Sequence, residues 1–213
     1  MEHIERETLY TDPVYRFQYV AKFMGFGDED VDVIKGAAEL VKPLVPVVVD
    51  ARHEGFVPKA GVVENAAELT ENADQIKFRK DMLSKYFDRL LTNPYDERMI
   101  KYLEYVARIH TDTPTKKSKI NVDVIHINAL LGYVEQVLIG GIKSLNLDRD
   151  TEYKAIAAFG KLLWIQMDFF LKFYCQDGAE YLPGAKEAVA ANTTTTVAIA
   201  QPGILTRLWR FFF

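Results

Sequence analysis

The sequence predicts an all-α protein with one helical body and a separate C-terminal segment, and three observations carry that prediction. Apolar residues recur at three- and four-residue spacing in segment after segment. Alternating apolar and polar runs joined by Asn-Gly or Asp-Gly turns are missing. The chain has 213 residues, 49% of them apolar, which is ample for a core in one domain with a tail or in two very small domains. That apolar share also excludes disorder over most of the chain.

Val14, Phe17, Val20 and Phe23 form the first apolar face, stopped by Gly25 and Gly27. Asp28-Glu29-Asp30 then places negative charge where a helix N-terminus favours it, and Val31, Ile34, Ala38 and Val41 follow as the buried stripe. Pro43 and Pro46 mark a break, because proline lacks the amide and clashes with the preceding turn; a further helix restarts with Leu44, Val45 and Val48. Gly55, Pro58 and Gly61 make 52–72 a loop with at most one helical turn, near Ala66 to Leu69.

After Asn72, Phe78, Met82, Tyr86 and Leu90 lie on one stripe, with Leu83 and Phe87 beside it. Asn93-Pro94 ends that helix and opens another, with Asp96 and Glu97 in its first turn. Its apolar face is Met99, Tyr102, Leu103, Val106, Ile109 and His110. The polar run Thr111 to Lys119 closes it, and Lys116, Lys117 and Lys119 read as a solvated approach to the next helix.

Two long helices complete the body, each roughly 35–40 Å at 1.5 Å per residue. One, about Val122 to Leu145, carries Ile125, Leu130, Leu131, Val134, Val137 and Leu138; the other, about Asp148 to Cys175, carries Tyr153, Ile156, Leu163, Met167, Phe170, Leu171 and Tyr174. An antiparallel pair of this length presents more apolar surface than a small body covers, so self-association is expected. His126, one residue off the stripe, reads as a buried or interface histidine.

From 177 to 213 the composition changes to Ala-Thr-rich low complexity and then to a basic-aromatic end, Arg207, Trp209, Arg210 and Phe211 to Phe213. That end suits weak contact with a membrane surface, or docking on the protein itself or a partner. Asn192, four threonines, Gln201 and Pro202 make the stretch before it too polar for a membrane span.

Chemistry is sparsely signalled. A net charge of −4 argues against a non-specific nucleic-acid binder. One cysteine, Cys175, allows no intramolecular disulfide, and its apolar helix end suggests a structural thiol. The charged start, Met1 to Glu7, has no secretory character, which is the pattern of a cytoplasmic protein. No phosphate-binding glycine loop follows a strand, and the four histidines are too scattered for a multi-histidine zinc site. His110 remains. Beside Leu103, Val106 and Ile109 at a helix end, it reads either as a cap on the last carbonyls or as a single axial ligand to a flat apolar cofactor such as haem.

Four segments in order resemble the protoglobin and globin-coupled-sensor domains. They are Tyr15-Arg16-Phe17-Gln18-Tyr19-Val20-Ala21-Lys22-Phe23 with Gly25-Phe26, and Pro94-Tyr95-Asp96 leading to Val106-Ala107-Arg108-Ile109-His110. The others are Asn128-Ala129-Leu130-Leu131-Gly132-Tyr133 and Leu162-Leu163-Trp164-Ile165-Gln166. The resemblance divides the chain into an N-terminal lead (1–13), a protoglobin-like haem domain (14–176) and the tail (177–213). It implies a globin-like fold with an extra N-terminal helix, haem b held by His110, and an open iron face for O2, CO or NO. Val106, Leu103, Tyr86, Phe87 and Met82 would then line the cofactor, and the two long helices would form a homodimer. It implies gas binding or sensing rather than an enzyme, with only incidental haem redox chemistry.

One departure falls on the gas side. Relatives carry aromatic residues after the equivalent of Val48-Val49-Asp50, one usually a tyrosine facing the gas; here the chain reads Ala51-Arg52-His53-Glu54-Gly55, and the segment looks short. Without a gap His53 takes the tyrosine's place; with a deletion it is a surface loop residue and the distal segment is abbreviated. Arg52, Glu54 and Gly55 favour the loop. Two other functions fit the same sequence: a haem-free globin-like interaction module whose cavity is filled by the 13 phenylalanines and 11 tyrosines, and a helical scaffold attached to a membrane by its tail.

Overall fold

The computed structural model describes residues 4–49, 73–111 and 122–175. The expectations for 52–72 with His53, for Lys116, Lys117 and Lys119, and for the tail lie outside the described residues. Among the described residues there are seven α-helices and no strand: α1 (Arg6–Thr11), α2 (Pro13–Met24), α3 (Asp28–Val41), α4 (Ala73–Thr92), α5 (Glu97–Arg108), α6 (Val124–Ser144) and α7 (Arg149–Tyr174). A 3-10 turn, Lys42–Leu44, follows α3 and leads into a helical stretch over 45–49, so Pro43 sits in the tightened turn and Pro46 in the first turn of the restarted helix.

Local chemistry sets the boundaries. The Asp12 carboxylate accepts from the amides of Val14 (2.8 Å) and Tyr15 (3.2 Å), and Pro13 occupies the first position of α2. The lead 1–13 is therefore not featureless: it holds α1 and the cap of α2. Gly25 ends α2 at φ +64°, a left-handed conformation that costs glycine little, and the Phe26 amide bonds back to Ala21. The Gly27 amide donates to the Asp30 carboxylate at 3.0 Å as α3 begins. Asp96 caps α5 through Met99 N (2.9 Å), and Asp148 caps α7 through Asp150 N and Thr151 N.

The central helix is α7. Helices α2, α3, α5 and α6 all pack on it, and α4 packs on α3. Its buried residues therefore spread beyond one stripe: Ala155, Leu162 and Phe169, spaced seven apart, share a face, whereas Met167 points to another side. Two long-range tethers fix the outer helices. Arg16 on α2 donates to both Asp168 oxygens (2.6 and 2.7 Å), and Lys161 reaches the Gly25 carbonyl (2.7 Å) and Asp30 (2.9 Å). A Cβ on Gly141 would collide with Leu44 Cδ1, so glycine lets the 3-10 turn approach the α6 backbone.

Several stripe members turn outward. Phe23 is 83% exposed, because Phe17 and Ala21 carry the buried side of α2 and residue 23 lies off it. Phe78, Ile125 and Tyr153 are also exposed, near the outer ends of helices where no other described helix covers them. Cys175 is exposed too, one residue beyond α7, and not enclosed by the apolar helix end.

Candidate cofactor site around His110

The turn after α5 places His110. The amides of Ile109, His110 and Thr111 bond to the carbonyls of Tyr105 (3.1 Å), Ala107 (3.3 Å) and Arg108 (3.2 Å), so the helix tightens and stops just before the histidine. Its side chain folds back on the helix: Nδ1 lies 2.7 Å from the Val106 carbonyl. A carbonyl can only accept, so Nδ1 carries the hydrogen and the basic lone pair of the neutral ring belongs to Nε2. The cap and the ligand readings are therefore compatible, since the same bond satisfies an orphan carbonyl and orients the ring for coordination. Phe170 of α7 meets the imidazole edge-to-face, centroids 5.3 Å apart at 85°.

Four residues before Phe170, roughly 6 Å along the axis, α7 presents a buried polar contact. Gln166 is 1% exposed, and its carboxamide oxygen accepts from the Tyr86 hydroxyl of α4. Tyr86 in turn packs against Phe87 and against Tyr102 of α5. Burial, and to a lesser degree Tyr95 and Tyr102, pushes the Tyr86 phenol far above its usual pKa, so it is a neutral hydroxyl. Thus α4 and α5 dock on one face of α7 a single turn apart, one through Tyr86 and one through His110.

Leu103 is buried and Val106 half-buried on the core-facing side of α5. Phe87 and Tyr86 are half-buried against the core, whereas Met82, a turn earlier on α4, is 42% exposed and stands apart from this cluster. His53 lies outside the described residues. An apolar cavity of about 30 Å³, bordered by Val45, Val48, Phe87, Leu90, Val134 and Leu163, lies two turns of α7 from Phe170. It has room for about one water molecule and none for a macrocycle.

Residues 14–180 match the sequence pattern of the Protoglobin family. The chain belongs to the protoglobin family. The helical architecture is that of a globin-like fold, and protoglobins usually bind haem and a gas. No curated protein matches this protoglobin chain. Its residues suit a haem in one specific respect. The Val106 carbonyl holds His110 Nδ1 and leaves Nε2 as the basic atom of the ring, which is the donor a haem iron would take.

Gln166, Lys172 and the contacts of Phe170 and Tyr174 with the His110 turn were not assigned a role from the sequence. A signal existed for Gln166 alone: a polar residue four positions from both Leu162 and Phe170 sits inside an apolar stripe.

Proposed function

We propose that this protoglobin is a haem-b globin that binds a diatomic gas, with His110 as proximal iron ligand. Haem held by His110 would supply an iron able to bind O2, CO or NO. The observation that carries the reading is the bond from His110 Nδ1 to the Val106 carbonyl, which holds the ring in the tautomer a metal ligand needs. Phe170 restrains ring rotation from the side. Leu103, Val106, Tyr86 and Phe87 supply apolar surface to exclude water, and His53 would stand on the gas side only if the segment after Asp50 has no gap.

Expression with haem supply tests this. The wild-type chain is expected to show a strong Soret band, and His110→Ala is expected to displace or abolish it, with recovery on adding imidazole. A second reading, a haem-free interaction module with attachment to membranes through its tail, is favoured by the small volume of the apolar cavity. Absence of bound haem after reconstitution selects it.

The reading extends to a homodimer through α6 and α7. Helix α6 is apolar around most of its circumference, with a mean hydropathy of 1.3 over an 18-residue stretch of which 22% is buried. By length and composition it could also cross a membrane, but Ile127, Val134, Leu138 and Ile142 are committed to the core of this fold. Ile125 (67% exposed) on α6 and Trp164 (62% exposed) on α7 offer anchors of the kind that interfaces use. Light scattering is expected to give a dimer mass for the wild type and a monomer mass for Ile125→Glu/Trp164→Glu. A monomeric wild type at micromolar concentration removes the dimer.

A further inference from the structure

The residue after next in α7's last turn from Lys172 does something the ligand chemistry alone does not explain. Tyr174 directs its hydroxyl at two main-chain carbonyls, one just past α5 and one just before α6: His110 O at 3.4 Å and, more closely, Val122 O. The Val122 amide also donates to His110 O at 3.0 Å. Both ends of the segment between α5 and α6 are thereby pinned together, and one phenol sits on the pin. Two further contacts join the same turn of α7 to α5. The Phe170 ring meets the imidazole, and Lys172, 3% exposed, pairs with Glu104.

We infer that Tyr174 is a positioning residue for His110, setting the strength of its bond to a cofactor iron; this rests on the haem reading above. The hydroxyl has one hydrogen, which it places between the carbonyls of His110 and Val122. Fixing those carbonyls fixes the turn that brings Nδ1 to 2.7 Å from Val106 O. A short Nδ1–H···O bond shifts electron density onto the ring and makes Nε2 the stronger donor. Removing the hydroxyl leaves the Val122 carbonyl without this donor and lets the turn relax, so the Nδ1 bond lengthens and Nε2 donates less.

Tyr174→Phe keeps the ring and removes the hydroxyl. In the ferrous, haem-loaded full chain the iron–histidine stretching band in resonance Raman is expected to move to lower frequency. Haem transfer to apomyoglobin is expected to be about tenfold faster, the scale seen when outer-shell partners of a metal ligand are lost. Lys172→Met loosens the same helix contact while leaving the hydroxyl, and its band is expected to match the wild type. A band unchanged in Tyr174→Phe, or shifted equally in Lys172→Met, overturns the positioning role while haem binding by His110 stands. A wild-type chain that takes up no haem overturns the ligand reading and this inference together.

Discussion

At the scale of single residues, the Gln166 carboxamide combines a requirement with a deficit. Its oxygen is taken by Tyr86, and its Nε2 is buried with no hydrogen-bond partner among the described residues. Turning the amide over only exchanges an orphaned donor for an orphaned acceptor. An unsatisfied buried group costs about 1–3 kcal/mol, whereas replacing both partners with apolar groups of similar shape is nearly neutral. Tyr86→Phe or Gln166→Leu alone is therefore expected to destabilise the chain by about 1–2 kcal/mol, and the double variant by less than the sum. Urea unfolding of the four proteins reads this directly; strict additivity would show that the two side chains do not depend on each other. His110 stood out in the sequence as an ionisable side chain on an apolar face, while its reading as an iron ligand came from the family resemblance. Tyr174's role was not, since Tyr174 looks like any stripe member until α5 and α6 bring their carbonyls to it.

At the scale of elements, capping chemistry transferred well from sequence to structure. Asp96 and the Asp28-Glu29-Asp30 start lie where their charges complement a helix N-terminus, and Asp148, read from the sequence only as the approximate start of α7, proves to be its cap. Which apolar residues stay outside was the poorer inference. Periodicity gives a face but not what covers it, so Phe23, Ile125 and Tyr153 counted as core although no described helix reaches them. The Arg16–Asp168 pair was equally invisible, because nothing in either segment announces a partner 152 positions away. It is a part-buried, two-pronged ion pair, with side chains 12% and 27% exposed. Asp168→Asn is expected to cost about 1.5–3 kcal/mol, the range for hydrogen bonds to charged groups. Arg16→Lys is expected to recover little of the wild-type stability, since an ammonium cannot span both oxygens. Thermal melts of the two variants check both statements, and a wild-type melt for Arg16→Lys would show that charge alone suffices.

At the scale of the whole molecule, three half-buried phenols set a limit on alkaline tolerance. Burial raises Tyr86, Tyr95 and Tyr174 above the ordinary phenol range, Tyr174 to about 12. The unfolded chain releases these protons near pH ~10 while the folded chain keeps them, so the folded state binds more protons above that point. Stability is thus fully present below about pH 10 and is lost as pH rises through about 12. The urea midpoint is expected to fall across that window, and less steeply in Tyr86→Phe/Tyr95→Phe. An equal slope in the variant would place the loss elsewhere.

The 152-residue reach from Arg16 to Asp168 also has a consequence in time. Helices α2 and α3 are made before α7, with Phe17, Ala21, Ile34 and Ala38 already patterned for burial, yet α7 supplies part of the surface that buries them. Until synthesis passes about residue 175, the front of the chain has only part of its surface to close on, α5 for α2 and α4 for α3, and a nascent chain arrested before residue 149 leaves the remainder open to protease or chaperone. The order of translation thus runs opposite to the order of dependence: the element on which the others settle arrives after them.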